Sequence, residues 1–198
     1  MAAHVEDIQT DRQFRALTGL SRKEFQQLLQ TFTESYEEFR QEAYAAVRNR
    51  RQRKPGGGQK GKLAAMDQKL FFILYYFKVY PSYDVLGFHF GMDGSKACTN
   101  VQALWPVLKR TLRKRGVLPA REFASIEEFQ EAFAEITELF IDATERPHTR
   151  PQDAEEQRKK FSGKKKRHTV KNTIIATACK WILFLGYTVA GSVHDYRR

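Results

Sequence analysis

Apolar residues recur with helical spacing through the first half of the chain and with strand spacing near its end. Ser21, followed three residues later by Glu24, forms a capping-box pattern, and the apolar stripe behind it predicts an amphipathic helix that ends near Val47. This stripe consists of Phe25, Leu28, Leu29, Phe32, Tyr36 and Phe39. The outer face of the helix is acidic, which favours packing against the next domain or a second copy of the chain over contact with DNA.

Three further helices are predicted between residues 63 and 117. Residues 66–80 are apolar on every side, as expected of a mostly buried helix. Residues 82–90 predict a short helix, Gly91 can adopt the positive φ that ends it, and a third helix runs from Lys96 towards Arg115. This order and spacing predict a helix-turn-helix, whose second helix lies in the DNA major groove. A plain helical hairpin with a polar outer face is the alternative.

The polar face of the third helix supplies candidate DNA contacts. Asn and Gln side chains can bond adenine bidentately, whereas Lys and Arg side chains bind phosphates. The candidates for base edges are Lys96, Thr99, Asn100 and Gln102, and those for the DNA backbone are Lys109, Arg110, Arg113, Lys114 and Arg115. The prediction is a helix whose N-terminal half reads bases and whose C-terminal half contacts phosphates.

Strand patterns follow in the last third of the chain. The apolar run at residues 139–141 predicts a buried strand that ends at Asp142. Residues 168–176 alternate as a second strand would, residues 181–189 predict a third, and a short Gly-containing segment then presents Asp195. The predicted fold class is therefore α+β, an all-α helix-turn-helix region followed by an incomplete α/β domain with about three strands.

The positive charge of the chain is segmented. The formal net charge is +11 and the isoelectric point is near 9.7. Residues 48–62 carry seven Lys/Arg and no acid, residues 95–117 carry six and no acid, and residues 158–198 carry eleven against one acid. Basic surfaces gain free energy by releasing counterions from phosphates, so this pattern favours nucleic acid as the partner. A single block could be only a solvated face or tail.

The first basic block also contains proline and three consecutive glycines, a composition that cannot hold a helix. We interpret it as a flexible basic arm that enters the minor groove or follows the backbone, with an ordinary linker as the alternative. Its candidate DNA contacts are Arg50, Arg51, Arg53 and Lys54. The predicted organisation is an N-terminal amphipathic helical segment (1–47), the basic arm (48–62), the helix-turn-helix domain (63–117) and the strand-containing domain (118–198).

Cysteine content and hydropathy argue against several classes of protein. Cys98 and Cys179 are too few for a disulfide framework or a zinc cluster, and they fit a reducing compartment. The longest apolar run, residues 70–77, is far shorter than the roughly 20 residues of a membrane span, and residues 1–10 lack a signal-peptide pattern. We expect a cytoplasmic, nucleoid-associated protein with no membrane partner.

Two aspartates at predicted strand ends, Asp142 and Asp195, are candidate metal ligands. Transfer of DNA phosphodiesters with two Mg²⁺ ions roughly 3.5–4 Å apart requires several carboxylates around the metals. These two residues supply part of such a cluster. An aspartate after a strand is, however, also a common turn former.

Five segments carry a more specific combined pattern. They are RKPGGGQKGK (residues 53–62), FFILYYFKVYPSYDVLGFHFGM (71–92), IDATERP (141–147), GKKKRHTVKN (163–172) and GSVHD (191–195). In this combination and order they resemble insertion-sequence transposases of the DDE endonuclease superfamily, which also includes Harbinger-type elements. The resemblance extends from about Leu17 onward. It implies a helix-turn-helix that binds terminal repeats in double-stranded DNA and an RNase H-like domain with an Asp-Asp-Glu triad and Mg²⁺.

The resemblance assigns roles to individual residues. Asp142 and Asp195 match the first two catalytic acids and would bind Mg²⁺. The run formed by Lys164, Lys165, Lys166 and Arg167 resembles the segment that holds DNA beside the catalytic strands, with a solvated hairpin as the alternative. Only three residues follow Asp195. We therefore expect the third acid to be absent from these 198 residues, Mg²⁺ binding to be weak and the polypeptide to be inactive alone.

Three functions agree with the sequence. The favoured one is a transposase fragment that binds element-end DNA, with a second polypeptide completing the catalytic domain and a homodimer as a further assembly. The second is a non-enzymatic helix-turn-helix regulator that competes with full-length transposase for the element ends. The third is a general basic nucleic-acid binder with little sequence preference.

Overall fold

The structure is a computed structural model, which describes residues 3–47 and 61–193. The chain divides into two compact units, Met1–Val117 and Leu118–Arg198. Several residues singled out from the sequence lie outside the described residues, namely Arg50, Arg51, Arg53 and Lys54 of the basic arm and Asp195 near the C-terminal end.

The described part of the first unit is entirely helical. A 3-10 turn (Val5–Asp7) precedes α1 (Asp11–Thr18), α2 (Arg22–Val47), α3 (Met66–Val79), α4 (Tyr83–Phe90) and α5 (Gly94–Lys114). The side chains of Thr10, Ser82 and Asp93 cap α1, α4 and α5 by accepting a hydrogen bond from the backbone N–H three residues later. The capping box at the start of α2 is confirmed, since Ser21 N–H donates to Glu24 Oε2 at 2.7 Å and Glu24 N–H donates to Ser21 Oγ at 3.3 Å. No described helix is long and apolar enough to cross a membrane.

One hydrophobic core joins all five helices. Phe14 of α1 meets Phe25 of α2 edge to face at 5.3 Å, and Phe72 of α3 meets Phe90 of α4 at 4.9 Å. The apolar stripe of α5 completes this cluster. Each fully buried side chain of this kind contributes roughly 1.5–3 kcal/mol relative to its exposed state. The helices of segment 1–47 therefore share a core with the helix-turn-helix, as the packing interpretation of the α2 stripe predicted.

The turn between α4 and α5 has the predicted geometry. Gly91 adopts φ 65° and ψ 38° and ends α4, and Met92 N–H donates to Gly87 O at 2.9 Å. A Cβ atom on Gly87 would lie 2.6 Å from Met92 O and 3.0 Å from the carbonyl carbon of Asp93. The absence of a side chain at position 87 therefore allows the turn to fold back on α4 and sets where α5 begins.

The second unit contains a five-stranded antiparallel sheet. Its elements are α6 (Ile126–Ala132), β1 (Leu139–Pro147), α7 (Ala154–Lys160), β2 (Phe161–Ser162), β3 (Arg167–Thr177), β4 (Ile182–Leu185) and β5 (Val189–Ala190). Strand β3 is central because it pairs with β1 along one edge and with β2, β5 and β4 along the other. Beside α6, Phe123 stacks on Phe184 of β4 at 5.5 Å and thereby covers one end of the sheet.

The prediction that a buried strand ends at Asp142 is wrong. Strand β1 continues for five residues beyond Asp142, and Phe140 and Ile141 are 53% and 66% exposed. The polar residues after Asp142 remain in the strand because β3 offers a matching ladder of backbone hydrogen bonds as far as Pro147. The apolar run at the start of β1 therefore marks the start of a longer strand.

The third predicted strand is also interrupted. Residues 181–189 form β4 and β5 with a break between them. At this break Gly186 N–H donates to Thr173 O at 2.9 Å, and the side chain of Asn172 donates to Gly186 O at 2.9 Å. The carbonyl of Gly186 thus accepts from a side chain, and the chain contains two short strands where the sequence pattern predicts one.

We expect Gly87→Ala to destabilise the helical unit. Alanine normally stabilises a helix interior relative to glycine by about 1 kcal/mol. Here the new methyl group meets backbone atoms that cannot rotate away, and overpacking of this kind costs about 1–3 kcal/mol. Thermal unfolding followed by far-UV circular dichroism should show a lower midpoint. Gly61→Ala is the control, because no atom lies within 4 Å of a Cβ at that position. Equal midpoints for the two variants would contradict the close packing of the turn.

Candidate DNA interface and acidic site

The solvent-facing side of α5 carries a polar stripe. Thr99, Gln102, Lys109 and Arg113 are exposed and follow one another at intervals of three, seven and four residues. At about 3.6 residues per turn these intervals place all four on one face of the helix. We call them the α5 polar stripe. The opposite face is buried and consists of Ala97, Val101, Leu104, Val107, Leu108 and Thr111.

The N-terminal half of this stripe presents two side chains with hydrogen-bonding capacity. Thr99 Oγ1 donates to Ser95 O at 3.0 Å, which leaves the lone pairs of its hydroxyl facing solvent. Gln102 Nε2 lies 3.5 Å from Cys98 Sγ, a weak acceptor, so its amide can exchange this contact for a stronger one. Both residues were predicted from the sequence as base contacts, and the structure places them on the outward face.

Two other predicted base contacts are engaged locally. Asn100 Nδ2 donates to Lys96 O at 2.8 Å and lies 3.6 Å from Met92 Sδ, so this side chain packs towards the turn. The ammonium of Lys96 pairs with Asp93 at 3.1 Å. The backbone N–H of Lys96, followed by its side chain, lowers the pKa of Asp93. Asn100 and Lys96 therefore stabilise the start of α5.

The basic residues of the C-terminal half of α5 point in two directions. Lys109 and Arg113 are exposed, and neither has an ion-pair partner within the part of the chain that the structure describes. Arg110 was predicted to contact the DNA backbone. It instead faces α2 and forms a bidentate pair with Glu42 at 2.7 and 2.9 Å. Lys114 faces α2 as well. Sequence spacing alone did not reveal these partners, which lie 68 or more residues away.

Asp142 lies in the middle of β1 with an exposed side chain. Its Oδ1 accepts a hydrogen bond from the N–H of Ala143 at 2.7 Å. Alternation along the strand places it on the same face as Thr144 and Arg146, and the β-sheet register sets it opposite Ile174. An exposed carboxylate in a strand is a chemically suitable ligand for a hard divalent cation.

A complete metal cluster is not formed by the described residues. Within residues 3–47 and 61–193, no group of three or more His, Cys, Asp or Glu side chains could hold a metal ion. The described residues therefore supply one candidate ligand, Asp142. The second, Asp195, lies outside them.

A buried amide ties together the strands on the face that carries Asp142. Asn172 of β3 is 3% exposed, and its Oδ1 accepts a hydrogen bond from Arg146 at 2.8 Å. Its Nδ2 donates to Gly186 O at 2.9 Å and to Thr188 Oγ1 at 3.0 Å. Sequence reasoning missed this role. The available signal was a polar residue between Val170 and Ile174, which share its face in the alternating pattern of the strand.

A second polar contact bridges β1 and β3 on the opposite face. Thr169 Oγ1 donates to Glu145 Oε1 at 2.6 Å. Burial raises the pKa of Glu145, but hydrogen bonds from the Ser162 and Thr169 hydroxyls and the charges of Lys171 and Lys165 together lower it below its usual value. Glu145 therefore remains ionised and braces the two strands.

The basic run before β3 forms a hairpin turn. Lys165 N–H donates to Ser162 Oγ at 3.2 Å, and Lys166 N–H donates to Ser162 O at 2.8 Å. Lys166 adopts φ 53°, and Arg167 begins β3. All four side chains of the run, Lys164, Lys165, Lys166 and Arg167, are exposed. The turn thus concentrates four positive charges at one end of the central strand.

Comparisons with known proteins agree with this organisation. Residues 61–114 match the family described as helix-turn-helix of DDE superfamily endonuclease, and residues 141–197 match the family described as DDE superfamily endonuclease. The chain is 26% identical over 189 residues to a protein of Microchaete diplosiphon named probable transposase for insertion sequence element IS702. This alignment covers 95% of the chain and 59% of that protein. No solved structure matches significantly.

We expect Asn172→Ala to destabilise the sheet. The substitution leaves the buried carbonyl of Gly186 without a donor and removes the acceptor of Arg146, and an unsatisfied buried group costs about 1–3 kcal/mol. Amide hydrogen exchange of β3 reports on this unit separately, and exchange should be faster in the variant. Gln152→Ala, which shortens an exposed amide side chain of the same unit, should leave exchange unchanged. Unchanged protection in Asn172→Ala would show that the amide network does not hold the strands.

Proposed function

Because the chain belongs to the insertion-sequence transposases of the DDE endonuclease superfamily, we propose that it binds the terminal repeats of its element in double-stranded DNA through α4 and α5. The observation that carries this proposal is the α5 polar stripe. A helix-turn-helix presents the second helix of its pair to the major groove, and the exposed face of α5 supplies groups suited to bases and to phosphates.

In this complex the two ends of the stripe have different tasks. Thr99 and Gln102, near the start of α5, read base edges, and Gln102 is suited to a bidentate contact with adenine. Lys109 and Arg113 contact phosphates and fix the register of the helix on the duplex. Asn100 and Lys96 support the turn.

Further backbone contacts come from the other basic segments. The hairpin of Lys164 to Arg167 offers four exposed cations that can follow a phosphate chain. We assign the same role to the arm of residues 48–62. Since such contacts carry no sequence information, these segments raise affinity while the first half of α5 determines specificity.

The second unit carries part of a strand-transfer site. We assign Asp142 and Asp195 as ligands of Mg²⁺, which, when bound, polarises the phosphate and lowers the pKa of the attacking hydroxyl or water. Asp142 fits this role because its carboxylate is exposed. The superfamily triad includes a third acid, a glutamate, and a two-metal centre needs several carboxylates. We therefore propose that strand transfer requires at least one carboxylate besides Asp142 and Asp195.

The sheet suggests how a complete RNase H-like domain could form. Within the described residues β1 pairs only with β3, so its outer edge lacks a neighbouring strand. Unpaired edges invite strand addition. We propose that a further polypeptide segment, in an assembly that includes a second copy of the chain, completes this sheet and contributes the glutamate. The location that suits this activity is the bacterial cytoplasm, at the nucleoid.

A non-enzymatic regulator of transposition is the second candidate. The observation that favours it is the independent core of the helical unit, which contains the whole helix-turn-helix. DNA binding would then need nothing from the sheet. Asp142→Ala would leave repression at the element ends unchanged, whereas a role in strand transfer makes Asp142 essential once the active site is completed.

Gln102→Ala should relax sequence specificity. One bidentate base contact discriminates against a wrong base by about 1–3 kcal/mol. In a binding assay with the terminal repeats of the element and single-base variants, affinity for the cognate repeat should fall and the preference at one base pair should disappear. Gln152→Ala is the matched control outside α5. Retained preference at every position in Gln102→Ala would exclude this residue from base readout.

The 198-residue polypeptide should protect terminal-repeat DNA in a footprint but produce no strand breaks with Mg²⁺. Cleavage should appear when a polypeptide segment that supplies the remaining acid of the triad is added, and Asp142→Asn should abolish that cleavage without altering the footprint. Strand cleavage by the 198 residues alone would show that two aspartates suffice. Cleavage that persists in Asp142→Asn would remove this residue from the metal site.

A further inference from the structure

The C-terminal half of α5 carries four basic side chains, of which two point to solvent and two point towards α2. Lys109 and Arg113 belong to the α5 polar stripe. Arg110 and Lys114, four residues apart, lie along the neighbouring flank of the helix that packs beside α2. The acidic residues of α2 that meet them are Glu38 and Glu42, which are also four residues apart.

The contacts across this flank are specific. Arg110 Nη2 lies 2.7 Å from Glu42 Oε2, and its Nη1 lies 2.9 Å from Oε1 of the same carboxylate. Arg110 Nη1 also lies 3.9 Å from Glu38 Oε2, and Lys114 Nζ lies 2.6 Å from Glu38 Oε1. The guanidinium carbon of Arg110 is 5.8 Å from the ring centroid of Phe39. Two carboxylates of α2 thus accept hydrogen bonds from two cations of α5.

These ion pairs determine how many positive charges of α5 are available to bind phosphate. Exposed ion pairs contribute little to folding stability. A bidentate carboxylate, however, uses the same edge of the guanidinium that a phosphate would use. The side chains of Arg110 and Lys114 are only 29% and 35% exposed. A phosphate would have to displace a carboxylate before it could bind the same donors of either cation.

We infer that Glu38 and Glu42 of α2 withhold Arg110 and Lys114 from DNA, so that only Lys109 and Arg113 supply the phosphate-binding charge of the C-terminal half of α5. This inference rests on the proposed DNA-binding role of α5. It reassigns Arg110 as a positioning residue that fixes α5 on α2. With the flanking cations withheld, DNA can engage α5 only along the stripe, so the same contacts also fix the rotational setting of the helix in the groove.

The salt dependence of DNA binding tests this division, because each phosphate contact contributes close to one unit to the slope of log K against log salt concentration. In the full 198-residue chain, Lys109→Gln and Arg113→Gln should each reduce the slope by about one. Arg110→Gln and Lys114→Gln remove the same charge from the same helix and should leave the slope unchanged. A reduction in Arg110→Gln equal to that in Arg113→Gln would overturn the inference.

Removal of the acids provides a second test. The double variant Glu38→Gln/Glu42→Gln frees both cations, so its slope should become steeper by up to about two and its affinity at low salt should rise. An unchanged slope would show that the acids do not withhold the cations. A thermal-unfolding double-mutant cycle between Glu42 and Arg110 should show coupling, since either single substitution breaks the same pair. Coupling of zero would contradict the contact itself.

The outcomes separate this inference from the proposed function. If none of the four substitutions in α5 alters DNA binding, α5 is not the DNA-binding helix and the proposed function fails. If Lys109→Gln and Arg113→Gln weaken binding and Arg110→Gln does so equally, the proposed function stands and the division of charge is wrong.

Discussion

Burial of one face of α5 in a core shared with the other four helices is the constraint on which the DNA-binding surface depends. A helix whose apolar residues share a core with Phe72 and Phe90 cannot rotate about its axis without exposing its own apolar residues to water. The outward direction of Thr99 and Arg113 is thus set by residues on the opposite face. Base recognition by a helix-turn-helix requires this rigidity, because a rotation of one residue position would turn every contact away from the groove.

The same core explains why α2 belongs with the DNA-binding helices. Its apolar stripe belongs to the same cluster, and its acidic residues Glu38 and Glu42 adjoin the flank of α5. Glu42 is thereby placed opposite Arg110, and an acidic segment and a basic segment far apart in sequence neutralise each other along one line of contact. Segmented charge in this chain therefore serves two purposes, since part of the basic surplus pairs with acids of the same helical unit and part has no such partner among the described residues.

In the second unit, the central strand β3 holds the neighbouring strands in place. Asn172 holds β1 through Arg146 and holds the break after β4 through the carbonyl of Gly186. The first of these contacts braces β1 at Arg146, four residues beyond Asp142 on the same face of the strand. A metal ligand on a strand gains its precision from such bracing, because the strand backbone determines where the carboxylate lies. The exposed side chain of Asp142 lies on this braced strand, as the proposed role in binding Mg²⁺ requires.

Helices α2 to α5 and the order of the helix-turn-helix could be predicted from the sequence, because capping bonds and apolar periodicity act over three or four residues. Thr99 and Gln102 could be predicted as outward-facing for the same reason. The predicted start of α5 at Lys96 is two residues late, since Asp93 caps the helix and Gly94 begins it. The extent of β1, the break at Gly186 and the partners of Arg110 and Asn172 could not be predicted. A strand ends where its neighbour ceases to offer hydrogen bonds, and a cation is engaged or available according to what packs beside it. The sequence by itself determined which local elements form and which face of each is polar, since those choices depend on neighbouring residues. Only the tertiary structure decided which polar groups meet each other and which remain open to DNA, because those meetings join residues that the chain separates by tens of positions.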